Sequence, residues 1–407
     1  MDTSERPKLR YLDIFPLPEQ EGRRLFGLRD PEHVSTQVLC LTVEAACALQ
    51  FLDGSHTLPE LQAAYRTQYQ VEFPMELLQQ LCQVLDDNHF LANERYQAHA
   101  EQLVEAFRLA DTRPAFHAGV SYDENPAVLK DNLGEFFLEP KGPGLPVTGG
   151  SEGHLPGIIV PHIDLRIGGA SYAWAYKELA EAQSPELIIV LGTGHSGLRS
   201  LYCLTRKSFV TPLGEVPVDT DFVDRLTAES PEDLFVDELA HRSEHTIEFQ
   251  LLFIQQLFGS ATPIVPILCS FSYATLQRDA GRARIESFIA NLAGRMAQDK
   301  RRISIVASAD LAHVGPRYGD ESGFTGTDLE GIKMADKEML THVENVDARG
   351  FLDYVEREQD RRRICGFSPI YTMLRTMDAR VGRVVAHDHG EMDELGSVCS
   401  YASLVFE

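Results

Sequence analysis

Short apolar runs in this chain end on polar residues able to ligate a metal or move a proton. His162 follows GIIVP, His195 follows LIIVLGTG, and Asp310 and His313 follow ISIVASA. A neutral imidazole binds transition metals and, near neutral pH, also exchanges protons. One histidine at a strand end is more often a hydrogen-bonded structural residue than a ligand. Repetition at successive strand ends turns the balance toward a shared site. Cys365 opens ICGFSPIYTMLRTM, in which Ile370, Met373 and Leu374 mark one helical face. Its thiol is therefore expected near a helix N-terminus, where partial positive charge favours thiolate, a nucleophile or soft metal ligand.

Other clusters compete for attention. HRSEHTIEFQ sets His241, His245 and Glu248 at i, i+4 and i+7, one face of a helix and a spacing that can bind zinc. Arg242 stands where a His-Glu-x-x-His protease has its glutamate, so that chemistry is set aside. Asp164 and Arg166, just after His162, form a charged pair that either recognises a charged substrate or closes a structural ion pair, and the second is the commoner outcome. His387 and His389 of HDHGE, two apart on a strand, share a face and offer a second metal site or, more often, a solvated strand end. The glycine-rich stretch at 192–197 lacks the Lys and Ser/Thr of a phosphate loop, and no Gly-x-Ser-x-Gly turn occurs. Nucleotide hydrolysis and acyl transfer drop out.

The elements that must position these residues are legible as apolar, β-branched runs: GIIVPH, LIIVLGTGH, PIVPILCS, RISIVASAD, VGRVVAH and SVCSYASLVF. Strands buried on both faces read this way, so residues 112–407 are expected to form an α/β domain with a mostly parallel sheet covered by helices. Ligands in such sheets bind outside the carboxyl ends of the strands, where His162, His195 and Asp310 would converge. Ahead of it, residues 1–30 read as an extended leader and 31–96 as a small helical domain. Thr42 and Thr57 are placed to cap its first two helices, and HFLANERY has the look of a β-ribbon or wing. A helix over 97–111 links the two domains.

Charge and cysteine usage exclude several classes. Lys plus Arg number 37 against 61 Asp plus Glu, a net charge of −24 that repels nucleic acid and anionic lipid. Residues 31–98 hold nine acids and two bases, Arg66 and Arg95, which opposes DNA binding by that domain. Seven scattered cysteines with no Cys-x-x-Cys read as reduced thiols. The amino terminus has no signal-peptide pattern and no run reaches a membrane span, so a cytoplasmic protein is expected.

Residues 112–407 resemble the Memo family, whose bacterial members are known as AmmeMemoRadiSam system protein B. The resemblance is carried by RPAFHAGVSYDENPAVLKDNL, IIVPH, YAWAYKEL, VLGTGHSG, EHTIEFQLLFI, IVPIL, VASADLAHVGPRYG, CGFSPI and SVCSYASLVF. It implies a fold similar to class III extradiol dioxygenases and a metal held by His162, His195 and Cys365, iron or copper before zinc. A cysteine in place of the dioxygenases' carboxylate ligand puts ring cleavage in doubt. It also implies that His313 is an acid or base beside the metal with Asp310 orienting its ring, and that His245 and Glu248 line the pocket. Residues 31–96, through RDPE, LTVEAACALQFLDGSHTLPEL and LLQQLCQVLDDNHFL, resemble the PqqD-like winged-helix domains that hold peptides beside radical-SAM enzymes. Together the resemblances imply a mononuclear-metal redox enzyme that acts with a radical-SAM partner on a peptide or protein. The alternative is a non-enzymatic adaptor with a vestigial pocket.

Overall fold

The computed structural model describes residues 4–20, 22–147, 153–196 and 198–407, and the chain divides into two units, Met1–Leu109 and Ala110–Glu407. The first unit opens with an antiparallel meander, β1 (Asp13–Gln20), β2 (Arg23–Arg29) and β3 (Val38–Thr42). Four helices follow: α1 (Val43–Leu49), α2 (Leu58–Tyr69), α3 (Met75–Asp87) and α4 (Glu94–Leu109). Thr42 caps α1 by accepting from the Ala45 N–H at 3.3 Å, and the Glu60 carboxylate accepts from the Thr57 N–H at 2.8 Å ahead of α2. The helices close on Leu58, Leu61, Leu78, Leu81 and Leu85.

Two expectations for this unit are overturned. Residues 13–20 and 23–29 are not an extended leader; they are two paired strands, and Arg10 is buried in an ion pair with Asp30 at 2.9 Å. Residues 1–3 and 21 of the expected leader lie outside the described residues. HFLANERY is not a ribbon, because only Leu91 bridges to Leu9 and Asn93 accepts from the Tyr96 N–H at the start of α4. Polar spacing around Pro16 and Pro18 hid the first strand from a reading by periodicity.

The second unit begins with β4 (Thr112–Arg113) and α5 (Pro126–Leu138), then β5 (Gly157–Val160), α6 (Leu165–Glu181) and β6 (Leu187–Thr193). Three short strands, β7 (Tyr202–Leu204), β8 (Ser208–Thr211) and β9 (Gly214–Val216), lead to α7 (Thr220–Ala228) and α8 (His245–Phe258). Next come β10 (Ile264–Cys269), α9 (Tyr273–Leu276), α10 (Asp279–Gln298), β11 (Ile303–Ser308) and β12 (Asp310–Val314). The chain ends with α11 (Thr327–Glu344), α12 (Ala348–Arg357), α13 (Phe367–Thr376), β13 (Gly382–Glu391) and β14 (Val398–Phe406).

All six apolar runs form strands of one large mixed sheet, in the order β12-β14-β5-β11-β6-β10-β7 with β13 paired to β14. Its centre, β5-β11-β6-β10, is parallel, and every residue of those four strands is buried. The flanks, β12, β13, β14 and β7, run antiparallel to their neighbours. Helices α5, α6 and α8 pack together over β5, β6, β11 and β14, while α10, α12 and α13 form a second layer on β6, β10 and β11. Burial of such runs between helical layers removes their apolar surface from water, the main favourable term in folding. Among the described residues no helix is long and apolar enough to cross a membrane.

Candidate metal centre

The carboxyl ends of the three neighbouring strands β5, β11 and β6 deliver the candidate residues to one edge. Pro161 and His162 follow β5, Gly194 and His195 follow β6, and Ala309 and Asp310 follow β11. Helix α8 brings a fourth group, His245, because it starts against β6. A Cβ at Gly192 would sit 2.6 Å from the Thr246 hydroxyl, so only glycine admits this approach, and that hydroxyl donates to the Thr193 carbonyl at 3.0 Å. The buried Gln250 amide donates to the Pro161 carbonyl at 2.8 Å and to the Ser308 hydroxyl at 2.9 Å, tying α8 to β5 and β11.

Three imidazoles result, with their second nitrogens already engaged. His162 is 2 % exposed, and its Nδ1 lies 3.0 Å from the Ser308 carbonyl, which requires Nδ1–H and leaves Nε2 as the free base. Glu244 does the same for two rings at once. Its Oε1 lies 3.2 Å from His195 Nδ1 and 3.1 Å from His245 Nδ1, and it also accepts the backbone N–H groups of His195 and His245. The rings of His195 and His245 stack at 5.2 Å, and His162 stands edge-on to both, at 5.0 and 5.5 Å. Ligating atoms of His162, His195 and His245 all fall within 4.8 Å of one another.

Charge follows the same arrangement. Burial holds His162 well below the ordinary histidine pKa, and proximity to His195 and His245 pushes it the same way. For His195 burial acts downward, but the Glu244 carboxylate outweighs it and raises the pKa. Burial would raise Glu244 itself; His195 and His245 instead hold it well below the carboxylate range.

Cys365 also approaches the unengaged nitrogen of His162, with Sγ 3.2 Å from Nε2. The trio expected from sequence is thus shared between two sets, His162 with His195 and His245, and His162 with Cys365 and Asp310. Cys365 does precede α13, separated from it by Gly366, but the expected lowering of its pKa is overturned. Burial first, and the nearby Asp310 second, raise it well above the thiol value. A bound cation would reverse that sign.

Asp310 anchors the edge. Its Oδ1 accepts the N–H groups of His162 at 2.9 Å and Ile163 at 3.2 Å, and burial raises its pKa. Asp310 and His313 share a side not through a helix or turn but through a bulge, since Leu311 and Ala312 of β12 oppose the single Ser400 of β14. The expected bond between them is not formed. His313 Nδ1 lies 3.1 Å from the Leu311 carbonyl, and Cys399 Sγ lies 3.4 Å from His313 Nε2 and 3.7 Å from Asp310 Oδ2.

The remaining candidates divide between structure and surface. Asp164 caps α6, accepting the Arg166 N–H at 2.9 Å, and pairs with the exposed Arg166 guanidinium. Glu248 is fully buried; it pairs with Arg113 and accepts from the Tyr122 hydroxyl and from the His117 N–H at 3.0 Å, so it braces the 113–122 segment. His241 does not share a helical face with His245. It belongs to a 3-10 turn over Glu238–Arg242 and engages the Cys203 carbonyl at 3.1 Å through Nε2, because Glu244 starts α8 only at His245. His387 Nε2 contacts Asp336 at 3.2 Å, and among the described residues no three-ligand group closes around His387 and His389. Of the 192–197 stretch, Gly197 lies outside the described residues.

Glu244 and Cys399 escaped the sequence reading. Glu244 was legible only as the residue before a helix start, and Cys399 sits inside an apolar strand that gives no chemical signal.

Residues 113–405 match the family model of Memo-like protein. A MEMO1 family protein of Aquifex aeolicus is 28% identical over 98% of this chain and 100% of its own length, so that alignment reaches through the N-terminal unit. One from Sulfurisphaera tokodaii is 33% identical over 63% of this chain and 84% of its own length. Among solved structures, an uncharacterized protein of Escherichia coli K12 aligns with 62% of this chain and 100% of its own at 14% identity, with a TM-score of 0.38, too low to carry an argument.

Proposed function

The chain belongs to the Memo-like protein family, and from that premise we propose a metal-dependent redox enzyme built around one transition-metal ion at the carboxyl edge of the parallel strands. The observation that supports this reading is the engagement of Nδ1 in His162, His195 and His245 by protein oxygens, which leaves three Nε2 atoms as ligands. Carboxylate and carbonyl partners of this kind fix the tautomer of metal-binding histidines. The donor chemistry fits iron, copper or zinc: three imidazole nitrogens, with a thiol and a carboxyl beside them. His162 and His195 hold the ion in this proposal, with His245 and Cys365 as further donors. When bound, such an ion polarises a substrate oxygen or exchanges electrons, and a protein set of three or four donors leaves room for substrate.

The chain's own residues orient and exclude. Glu244 holds two rings in register, Gln250 and Ser308 clamp the strand ends, and Arg166, exposed at the first turn of α6, is proposed with Asp164 to meet a charged group of the substrate. A peptide or protein substrate, and a radical-SAM partner, belong to this proposal through sequence resemblance alone. The test is elemental analysis of protein purified without chelator or oxygen. Stoichiometric metal of which at least one equivalent is lost in a His162→Ala, His195→Ala double variant supports the enzyme; a metal-free protein with unaltered fold supports the adaptor.

A further inference from the structure

We propose that Asp310, His313 and Cys399 hold a second metal ion, beside the histidine centre and independent of it for its thiolate and imidazole. Carboxylate, imidazole and thiolate atoms of these residues lie within 4.8 Å of one another. In a tetrahedral site with metal–sulfur and metal–nitrogen bonds of about 2.3 and 2.0 Å, neighbouring ligand atoms stand about 3.5 Å apart. Cys399 Sγ stands 3.4 Å from His313 Nε2 and 3.7 Å from Asp310 Oδ2.

The surroundings leave those atoms directed at one another. His313 Nδ1 is engaged by the Leu311 carbonyl, so Nε2 carries the lone pair that faces Cys399. Asp310 spends Oδ1 on two backbone N–H groups and keeps Oδ2 for the cluster. The β12 bulge turns Asp310 and His313 to the same side, opposite Cys399 on β14. The two arginines that follow each other beside His313 already have anionic partners. Arg363, which donates to the His313 carbonyl, is paired with Asp320, and Arg362 is paired with Asp336 and Glu358.

The geometry also links the two centres. Asp310 Oδ2 lies 3.7 Å from His162 Nε2, the same separation it keeps from Cys399 Sγ. One carboxylate therefore stands between the two ligand sets, as in sites where two ions act on one substrate about 3.5–4 Å apart. Sulfur among the donors selects a thiophilic ion such as zinc or ferrous iron over magnesium or calcium.

Titration of the metal-free full chain with cobalt(II) separates the two sites, because cobalt bound to thiolate absorbs strongly in the near ultraviolet. The expected result is two equivalents in the unaltered chain. Cys399→Ser should retain one equivalent and lose part of the thiolate band, and His313→Gln should do the same should the serine variant fail to fold. The His162→Ala, His195→Ala double variant should keep one equivalent together with the Cys399 contribution. One equivalent in the unaltered chain that the histidine double variant abolishes and Cys399→Ser leaves intact would overturn this inference and leave the proposed function standing. Two equivalents retained by both the Cys399→Ser and His313→Gln variants would overturn it as well, reducing the contact to a thiol hydrogen bond. One equivalent lost only with Cys399 would keep the Asp310, His313 and Cys399 site but overturn the histidine centre and with it the pairing of two ions, and no cobalt at all would overturn both.

Discussion

His162 and His195 at the strand ends and His245 at the start of α8, and His241 and His387 elsewhere in the same unit, all press against protein oxygens, yet they use different nitrogens. The first three are engaged through Nδ1, by Ser308 and Glu244, and keep Nε2 for a ligand. His241 and His387 are engaged through Nε2, by the Cys203 carbonyl and by Asp336, and so spend that nitrogen on structure. Metal competence is therefore decided less by spacing along the chain than by which nitrogen the neighbouring element occupies. Arg113 joins the two groups, donating to the carbonyls of His241 at 2.8 Å and Glu244 at 3.0 Å while paired with Glu248.

The largest expected effect comes from cutting that join. Arg113→Ala leaves the fully buried Glu248 carboxylate without its cation, a loss of about 3–5 kcal/mol in comparable buried pairs. Denaturant unfolding of the C-terminal unit should register it, and a change under ~1 kcal/mol would mean that the pair does not brace the edge. Next is His162→Ala, which removes the one imidazole common to both ligand sets. Affinity for zinc, measured by competition with a chromophoric chelator, should fall by more than the ~10–100-fold that partners of ligands cost.

Glu244→Gln should fall within that ~10–100-fold range, because the amide removes the negative charge beside both rings and puts an NH2 group where Oε2 accepts the His195 N–H. It also carries a pH signature. Ligation needs neutral His195, whose protonated form Glu244 favours despite burial, so in the unaltered chain proton competition sets in at a higher pH than for an ordinary histidine. The variant should bind more weakly at neutral pH, yet the acid-side loss of affinity should move to lower pH. An unmoved pH profile would detach Glu244 from His195. The smallest effect is reserved for the comparison's other side: His387→Ala should cost about 1–3 kcal/mol of stability by leaving Asp336 one partner short, and leave metal content unchanged.

Much of this was legible in the chain. The six apolar runs are the strands of the large sheet, since β-branched runs buried on both faces have few alternatives, and the strand ends carry His162, His195 and Asp310 to one edge as the fold class requires. The antiparallel flanks were less legible, because a buried run has the same composition in either direction. The histidine spacing in HRSEHTIEFQ misled. Glu244, by capping α8 with its own carboxylate, starts the helix at His245 and sends His241 to a different partner. The approach of Asp310 to Cys399 depended on a bulge, a single extra residue that period-two reasoning cannot place. Burial rather than helix position set the Cys365 thiol, an effect of tertiary surroundings that no local pattern reports.

The central claim, that imidazoles with free Nε2 atoms at the strand ends bind a metal, is tested most directly by inductively coupled plasma mass spectrometry of the full chain purified without oxygen or chelator, set beside the His162→Ala, His195→Ala double variant. The account predicts at least one equivalent of transition metal in the unaltered chain and at least one equivalent fewer in the variant, with circular dichroism unchanged. Equal metal content in the two proteins, or none in either, would contradict it.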